Sequence, residues 1–100
     1  PEVHAQLMRI VQEALSNVRK HASATRAWVS CQMQAEDLVL QVRDEGCGFS
    51  LEDVPASSRY GLQGMRERSE LIGANLEILS YPQQGTVVRL RLPLSGEAIR

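Results

Sequence analysis

Residues 3–22 alternate between apolar and polar side chains with the period of an α-helix. Apolar residues recur at steps of three and four positions, and no proline or glycine interrupts them. This spacing puts them on one stripe of a helix, which would face a core. The stripe contains Val3, Leu7, Ile10, Val11, Ala14, Leu15, Val18 and Ala22.

Four later segments alternate with the period of a β-strand, and they form two pairs that are each joined by a short polar turn. Alternation of this kind around a tight turn predicts a β-hairpin, so we expect two hairpins. The predicted strands are residues 25–34, 38–43, 75–81 and 86–94, with turns at 35–37 and 82–85.

The segment between the two hairpins combines a loop and a second helix. Residues 50–60 contain Pro55, three serines and mixed charge without a sustained period, so they predict a loop, with one helical turn near 51–54. A loop of this length in a compact domain is typical of a lid or a binding segment. Helical spacing resumes over residues 61–74, where Gly73 is the expected C-terminal cap.

This order of elements predicts an α+β domain of two layers, with both helices packed on one face of the sheet. We expect a mostly antiparallel or mixed sheet of about four to five strands, since two hairpins supply four. The chain has 100 residues, which suits a single domain with a modest core. Its fractions of hydrophobic (43%) and charged (23%) residues are ordinary for a globular fold.

Charge and composition exclude some classes of function. Lys plus Arg (11) nearly balances Asp plus Glu (12), which argues against a nucleic-acid module that relies on phosphate attraction. No apolar run approaches the ~20 residues of a membrane span.

Cys31 and Cys47 lack the spacing of a metal site and predict two thiols of a cytosolic protein. Pro1 is an unusual natural start and predicts a fragment of a longer protein.

A second, polar stripe on the first helix borders the apolar one. At about 100° per residue, Glu13, Asn17 and Lys20 fall together. A solvated face is the ordinary interpretation. In the chemical alternative, the amide oxygen suits Mg²⁺, the ammonium neutralises phosphates, and the acid orients a water or accepts a proton. His21 falls within the apolar stripe, so packing is its first interpretation and a phosphate contact its second.

Residues 44–49 read Asp-Glu-Gly-Cys-Gly-Phe and follow directly after a predicted strand. A plain turn needs one glycine, or an Asn-Gly pair. Two glycines separated by one residue, behind an aspartate, indicate a backbone that is kept bare so that something can lie against it.

The polar stripe, "DEGCGF", "GLQGM" (61–65) and "GTVVRLRLPL" (85–94) occur in this order. Together they resemble the ATP-binding catalytic domain of bacterial sensor histidine kinases, in the group that also holds gyrase, Hsp90 and MutL and shares the Bergerat ATP-binding fold. The residues of the first motif and the short lid resemble the subfamily of the nitrate/nitrite sensors and their relatives. The likeness covers about residues 5–94, with an N box at 10–22, a G1 box at 44–49, a lid at 50–60 and a G2 box at 61–65.

The resemblance implies a site for ATP and Mg²⁺. Asp44 would accept a hydrogen bond from the adenine amino group and would disfavour guanine, which has a carbonyl there. Asn17 would bind Mg²⁺, and Lys20 and His21 would contact phosphate. Gly64 would stand at a helix start, where free N–H groups favour phosphate oxygens. The other implied nucleotide-binding residues are Gly46, Gly48, Phe49, Arg59 in the lid, Gly61, Leu62, Met65, and Thr86, which would help Asp44 to hold the base, often through water.

Two features depart from most histidine kinases. Many of them have Asn where this chain has Glu13, and the Glu-x-x-x-Asn spacing resembles the gyrase-type ATPases, in which the Glu activates water. We hypothesise that Glu13 helps to remove the proton from an acceptor imidazole. The lid is also short and lacks the phenylalanine-containing box of longer kinases.

The implied activity is that of a protein-histidine kinase. The domain would position Mg·ATP for transfer to a histidine on a separate dimerisation domain, and the phosphate would pass to an aspartate of a response regulator. His4 lies about two turns before Glu13 on the same helix and is not expected to be the acceptor. The isolated domain should bind ATP but autophosphorylate poorly.

The resemblance also implies the setting of the domain. The full-length protein would be a homodimer anchored in the bacterial inner membrane, with this domain in the cytoplasm and in contact with neither nucleic acid nor membrane. Two other functions stay open: a nucleotide-sensing module that has lost catalysis, and an α/β interaction domain without a ligand.

Overall fold

The computed structural model describes residues 2–22, 26–48, 50, 54 and 56–94, with the exception of the side chains at positions 21, 22, 57 and 58. The elements in chain order are helix α1 (Glu2–Asn17), a π-helical segment (Val18–Ala22), strands β1 (Ala27–Gln34) and β2 (Asp37–Asp44), helix α2 (Ala56–Leu71), and strands β3 (Asn75–Ser80) and β4 (Thr86–Pro93). No helix in these ranges is long and apolar enough to cross a membrane.

The four strands form one antiparallel sheet in the order β1-β2-β4-β3. Both predicted hairpins are confirmed, and β4 joins them because it pairs with β2 on one side and with β3 on the other. Both helices pack on the same face of the sheet. The predicted α+β fold of two layers is therefore confirmed, with four strands, all antiparallel.

The core lies between the helices and the inner face of the sheet. Apolar side chains alternate along the inner strands, which is the arrangement that puts them all on the helix-covered face. Full burial of such a side chain stabilises the fold by roughly 1.5–3 kcal/mol. The cluster consists of Ile10 and Ala14 from α1, Leu62 and Met65 from α2, and Val42, Ile78, Val88 and Leu90 from the sheet.

The inner face ends in a row of polar residues. Thr86, the first residue of β4, pairs with Asp44 at the end of β2 and with Ser80 at the end of β3. One step further along the same face, Val88 pairs with Val42 in the core. The polar row therefore marks the end of the sheet at which the core gives way to a site.

Strand β1 lies at an edge of the sheet and is more exposed than its alternating pattern predicts. Val29 is 50% and Met33 56% exposed, although the register sets them beside Val42 and Leu38. Helix α1 packs mainly against α2 and contacts β2. Within the described ranges, the inner face of β1 is thus left largely uncovered.

Helix α1 and the π-helical segment together span the predicted first helix. Glu13 and Asn17 lie in the α-helical part, whereas Lys20 lies in the π-helical part. The angle of about 100° per residue, from which the polar stripe was predicted, therefore applies only as far as Asn17. Such π-helical turns are rare and occur frequently at functional sites. Leu15, which was assigned to the apolar stripe, is exposed.

Two predictions about the second helix are wrong. Helix α2 begins at Ala56 rather than at 61, so residues 56–60 of the predicted loop are helical. Gly64 consequently lies inside the helix, where backbone N–H groups bond within the helix, and not at its start. The loop was predicted from Pro55, three serines and mixed charge without a sustained period, but a proline just before or at the first helical position is compatible with a helix start. At the other end, Gly73 has a φ of 69°, as expected for a cap.

Candidate functional site

A cavity lies between the two helices, at the end of the sheet that carries the polar row. The empty space between its walls, including the part that is open to solvent, is about 420 Å³. Its walls are mostly apolar, with three polar side chains among them, an arrangement that suits a flat ring with a few polar atoms. The lining residues are Ala14, Asn17, Val18, Val42, Asp44, Gly48, Leu62, Ile78, Thr86 and Val88.

Asp44 supplies a buried carboxylate to this cavity. The residue is 5% exposed, and its Oδ1 accepts a hydrogen bond from the backbone N–H of Gly46 at 2.8 Å. This bond fixes the orientation of the side chain at the end of β2. A buried carboxylate is costly unless its oxygens are hydrogen-bonded. A ligand that donates an N–H to Asp44 would therefore be favoured in this cavity.

Two glycines allow the backbone after Asp44 to pack closely against the turn between β3 and β4. Gly48 has a φ of 62°, and a Cβ there would overlap the carbonyl oxygen of Tyr81 and lie 2.8 Å from that of Gly85. Gly85 has a φ of 80°, and a Cβ there would overlap the carbonyl oxygen of Asp44. The backbone N–H of Gln83 also donates to the carbonyl of Cys47. The bare backbone that we predicted at Gly48 thus accommodates a neighbouring turn, and Gly48 also lines the cavity.

Sequence reasoning missed Gly85 and Ser80. Gly85 was assigned to an ordinary turn, yet its backbone packs on that of Asp44. Ser80 is 2% exposed, its Oγ lies 2.7 Å from Oγ1 of Thr86, and it donates to the carbonyl of Gly85 at 3.4 Å. The signal that could have found both is the hairpin register, which sets Ser80 opposite Thr86.

Asn17 brings an amide oxygen to the cavity. Its Oδ1 is buried and has no hydrogen-bond partner among the described residues, and an unsatisfied buried acceptor costs about 1–3 kcal/mol. A neutral oxygen of this kind is a ligand that Mg²⁺ accepts, so Asn17 fits the ion. No three His, Cys, Asp or Glu side chains converge in the described ranges. A cation beside Asn17 would therefore take its other ligands from water and from a bound phosphate.

Comparison with known proteins decides the family. Residues 2–96 match the family model described as "Histidine kinase-, DNA gyrase B-, and HSP90-like ATPase". The chain belongs to this ATPase family. The predicted resemblance to the larger group is thereby confirmed over almost the whole domain.

Curated relatives of this ATPase-family domain are sensor proteins. The sensor histidine kinase LiaS of Bacillus subtilis is 42% identical over 95 residues, which cover 95% of this chain and 26% of LiaS. The sensor protein VraS of Staphylococcus saprophyticus is 41% identical over 91 residues, which cover 91% of this chain and 26% of VraS. The chain thus spans about a quarter of the length of these relatives. The predicted likeness to nitrate/nitrite sensors is not supported, because these relatives are LiaS and VraS sensors.

Solved structures of histidine kinases share the fold of the domain. The histidine kinase domain of the Erythrobacter litoralis blue-light activated histidine kinase superposes with a TM-score of 0.71 at 26% identity, and the match covers 97% of this chain and 47% of that one. The Acinetobacter baumannii histidine kinase AdeS superposes with a TM-score of 0.77 at 14% identity over 92% of this chain and 47% of that one, which shows the fold alone.

The G2-box residues of this ATPase-family domain occupy different environments. Leu62 lines the cavity, whereas Met65 is fully buried in the core and is not a lining residue. A Cβ on Gly61 would overlap the carboxylate of Glu13, and a Cβ on Gly64 would lie 2.7 Å from a guanidinium nitrogen of Arg68. Both glycines therefore lie against side chains rather than against the cavity.

The remaining predicted site residues lie around the cavity or outside the described part. Lys20 is exposed on the π-helical segment. Arg59 is exposed on the first turn of α2 and donates to the carbonyl of Val54 at 3.2 Å, so it ties the helix start to the preceding chain. Phe49 and the side chain of His21 lie outside the described residues.

Proposed function

We propose that this domain binds Mg·ATP in the cavity and acts as the catalytic domain of a sensor histidine kinase. The observation that carries the proposal is the buried carboxylate of Asp44, oriented by the N–H of Gly46 and paired in register with Thr86, at the end of an apolar cavity. Membership of the ATPase family and the names of LiaS and VraS support it.

The apolar walls would hold the adenine ring. Val42, Ile78 and Val88 of the sheet and Leu62 of α2 line the cavity around Asp44. In this position Asp44 would accept from the 6-amino group of adenine. Guanine and hypoxanthine carry a carbonyl at that position, so two hydrogen-bond acceptors, the purine carbonyl and the buried carboxylate of Asp44, would face each other. A site that leaves polar groups unpaired in this way rejects the wrong ligand strongly.

The phosphates would extend towards the end of α1. Bound Mg²⁺ would neutralise phosphate charge, with Oδ1 of Asn17 as its protein ligand. Lys20, exposed on the π-helical segment, would hold phosphate oxygens by charge-assisted hydrogen bonds, with His21 beside it in sequence. Arg59 would exchange the carbonyl of Val54 for a phosphate oxygen when the lid closes.

Glu13 would assist proton removal from the acceptor imidazole. Its carboxylate lies beside Gly61, one helical turn before Asn17, and it is not a lining residue of the cavity. The acceptor must therefore approach from outside the cavity, past α1 and α2. Full phosphoryl transfer by Glu13→Gln, together with normal nucleotide binding, would contradict this role.

The remainder of the proposed reaction takes place on other domains. The acceptor histidine would lie on a helical dimerisation domain of the same kinase, and the phosphate would then pass to a receiver domain. His4 is exposed on α1 and is not assigned as the acceptor. In this proposal the full protein is a membrane-anchored homodimer, as is typical of sensor kinases, and this domain is cytoplasmic.

Nucleotide binding is tested by thermal unfolding with ADP. Wild type should gain melting temperature with ADP, since a ligand that binds only the folded state stabilises it. Asp44→Asn should lose that gain, because an amide offers N–H groups to the base while its oxygen can still accept from Gly46. Asp37→Asn is the matched control at the other end of β2, where Asp37 pairs with Arg91, and it should respond like wild type. A wild-type domain that does not respond to ADP would overturn the proposal.

The metal and the transfer step are tested with Asn17→Ala. Without nucleotide this variant should be about 1 kcal/mol more stable, because it removes an unsatisfied buried acceptor. It should nevertheless lose the additional ADP-dependent gain that Mg²⁺ gives wild type. Wild type, but not the variant, should transfer phosphate from ATP to a separately supplied histidine-containing dimerisation domain. A wild-type domain that binds ADP but transfers nothing would favour a nucleotide-sensing module.

A further inference from the structure

We infer that Ser80 determines the hydrogen-bond polarity of Thr86 and thereby contributes to base specificity. Ser80 would be a positioning residue, since it acts on the ligand only through Thr86. The inference rests on the proposed function, because it concerns the base of a nucleotide in the same cavity. Nothing in the sequence motifs pointed to Ser80, and its role follows from three oxygen atoms at the end of the sheet.

The first observation is the placement of the two hydroxyls. Ser80 is the last residue of β3 and the cross-strand partner of Thr86. Their oxygens lie 2.7 Å apart, which is the distance of a good O–H···O hydrogen bond. Thr86 lines the cavity, whereas Ser80 is 2% exposed and is not among the lining residues. Ser80 therefore lies behind Thr86 as seen from the cavity.

The second observation is the acceptor on the other side of Ser80. The carbonyl oxygen of Gly85 lies 3.4 Å from Oγ of Ser80 and can only accept. A serine hydroxyl has one proton, so a Ser80 that donates to Gly85 must accept from Thr86. The proton of Thr86 is then directed away from the cavity. Towards the cavity, Thr86 presents lone pairs and no donor.

With this polarity, Asp44 and Thr86 both present hydrogen-bond acceptors to the end of the cavity. An ionised carboxylate at Asp44 also only accepts, and Asp44 and Thr86 are neighbours in register. A ring that carries an amino group satisfies both, either directly or through a water that donates to them and accepts from the ligand. A ring with a carbonyl in the same place faces acceptors only. Ser80 thus withdraws the hydroxyl donor that could have accommodated such a ring beside Asp44.

The test compares the affinities for ADP and for inosine diphosphate, which differ in the amino or carbonyl group at position 6 of the purine. In Ser80→Ala the Thr86 hydroxyl loses its fixed acceptor and is able to rotate and donate into the cavity. We expect the preference for ADP over inosine diphosphate to fall by about fivefold, the equivalent of one neutral hydrogen bond. Isothermal titration calorimetry with each nucleotide and Mg²⁺ measures this ratio.

Two other variants separate specificity from structure. Ser69→Ala removes another buried hydroxyl, which donates to the carbonyl of Arg66 at 2.8 Å on α2, and it should leave the ratio unchanged. Thr86→Val removes the hydroxyl through which Ser80 acts. In a Thr86→Val background, Ser80→Ala should therefore have no further effect on the ratio. If Ser80→Ala does not fold, Ser80→Cys gives the same readout, because a thiol is a weaker acceptor for the Thr86 hydroxyl as well as a weaker donor.

The outcomes distinguish this inference from the proposed function. A wild-type domain that binds neither nucleotide overturns the proposed function. A wild-type domain that prefers ADP, with Ser80→Ala losing affinity for both nucleotides equally, overturns the role of Ser80 and leaves nucleotide binding intact. A fall of the ratio in Ser69→Ala as large as in Ser80→Ala would also overturn it, since the effect would then not depend on Thr86.

Discussion

Glu13 on α1 and Gly61 on α2 are in direct contact, and the glycine leaves just enough room for the carboxylate. A Cβ at Gly61 would overlap Oε2 of Glu13 and lie 2.7 Å from its Cδ. The two helices thus meet at a position where α2 has no side chain. Gly61 was predicted as a nucleotide-binding glycine. In the structure, the absence of a side chain at this position allows α2 to pack against Glu13 of α1. The contact links the acid of the first motif to the helix that follows the lid.

Gly61→Ala should separate stability from activity. Alanine favours a helix over glycine by about 0.8–1 kcal/mol, but its methyl group must displace the carboxylate of Glu13, a half-buried residue. We expect a change of less than about 1 kcal/mol in the free energy of unfolding, because the two effects oppose each other. Phosphoryl transfer to a supplied acceptor domain should fall several-fold. Urea unfolding and the transfer rate measure the two quantities.

Gly64→Ala and a Glu13→Ala background are the controls for this prediction. A methyl group at Gly64 meets only the end of the Arg68 side chain, which can move aside, so this variant should gain about 0.8–1 kcal/mol. Gly61→Ala should show the same gain once Glu13 is alanine. Equal gains for Gly61→Ala with and without Glu13 would show that the contact has no energetic consequence.

The elements that the sequence predicted correctly are those whose pattern reflects burial. In β4, Val88, Leu90 and Leu92 are buried and alternate with half-buried residues, so the period of two was visible in the sequence. The start of α2 was not visible, because Arg59 and Tyr60 are exposed and residues 56–60 carry no apolar period. An exposed helical turn leaves little signal apart from its composition.

The candidate site was predictable only in part. Asn17, Asp44 and Thr86 belong to motifs, and the structure brings them to one cavity, while their roles stay predictions. The contributions of Ser80 and Gly85 depend on how β3 and β4 pair and on how the turn between them packs against Asp44. The contact of Gly85 with Asp44 joins residues far apart in the chain, and the pairing of Ser80 with Thr86 depends on the exact hairpin register, so the motifs alone contain neither.

Bound nucleotide should protect Cys47 from alkylation. Cys47 is exposed and adjoins Gly48, which lines the cavity, and its carbonyl accepts from Gln83. A ligand bound against Gly48 would restrict the motion of the neighbouring backbone and the access of reagent to Cys47. We therefore expect ADP to slow the reaction of Cys47 with iodoacetamide several-fold. Mass spectrometry after limited labelling measures the rate at each cysteine.

Cys31 provides the internal control for this experiment. It is also exposed, but it lies within the edge strand β1, away from the lining residues of the cavity. Its labelling rate should be the same with and without ADP. If Cys47 reacts equally fast in both conditions while ADP still raises the melting temperature, the segment around Gly48 does not close on the nucleotide.

The energetic effect of the contact between Gly85 and Asp44 can be measured by comparison with Gly73, a glycine of similar backbone conformation. Gly85 and Gly73 have φ values of 80° and 69°, so alanine at either position should cost roughly 1–2 kcal/mol in backbone strain. A Cβ at Gly73 meets nothing within 4 Å, whereas a Cβ at Gly85 overlaps the carbonyl oxygen of Asp44. The difference between the two variants therefore reports the contact with Asp44.

We expect Gly85→Ala to cost about 3 kcal/mol or more in urea unfolding, because strain and steric overlap add, and Gly73→Ala to cost only the strain. Gly85→Ala should also lose most of the ADP-dependent gain in melting temperature, since relief of the overlap moves the backbone that carries the carboxylate. Gly73→Ala should keep that gain in full, because Gly73 adjoins neither Asp44 nor the cavity. Equal costs and equal responses to ADP would mean that Asp44 is held by its bond to Gly46 alone, without help from the turn.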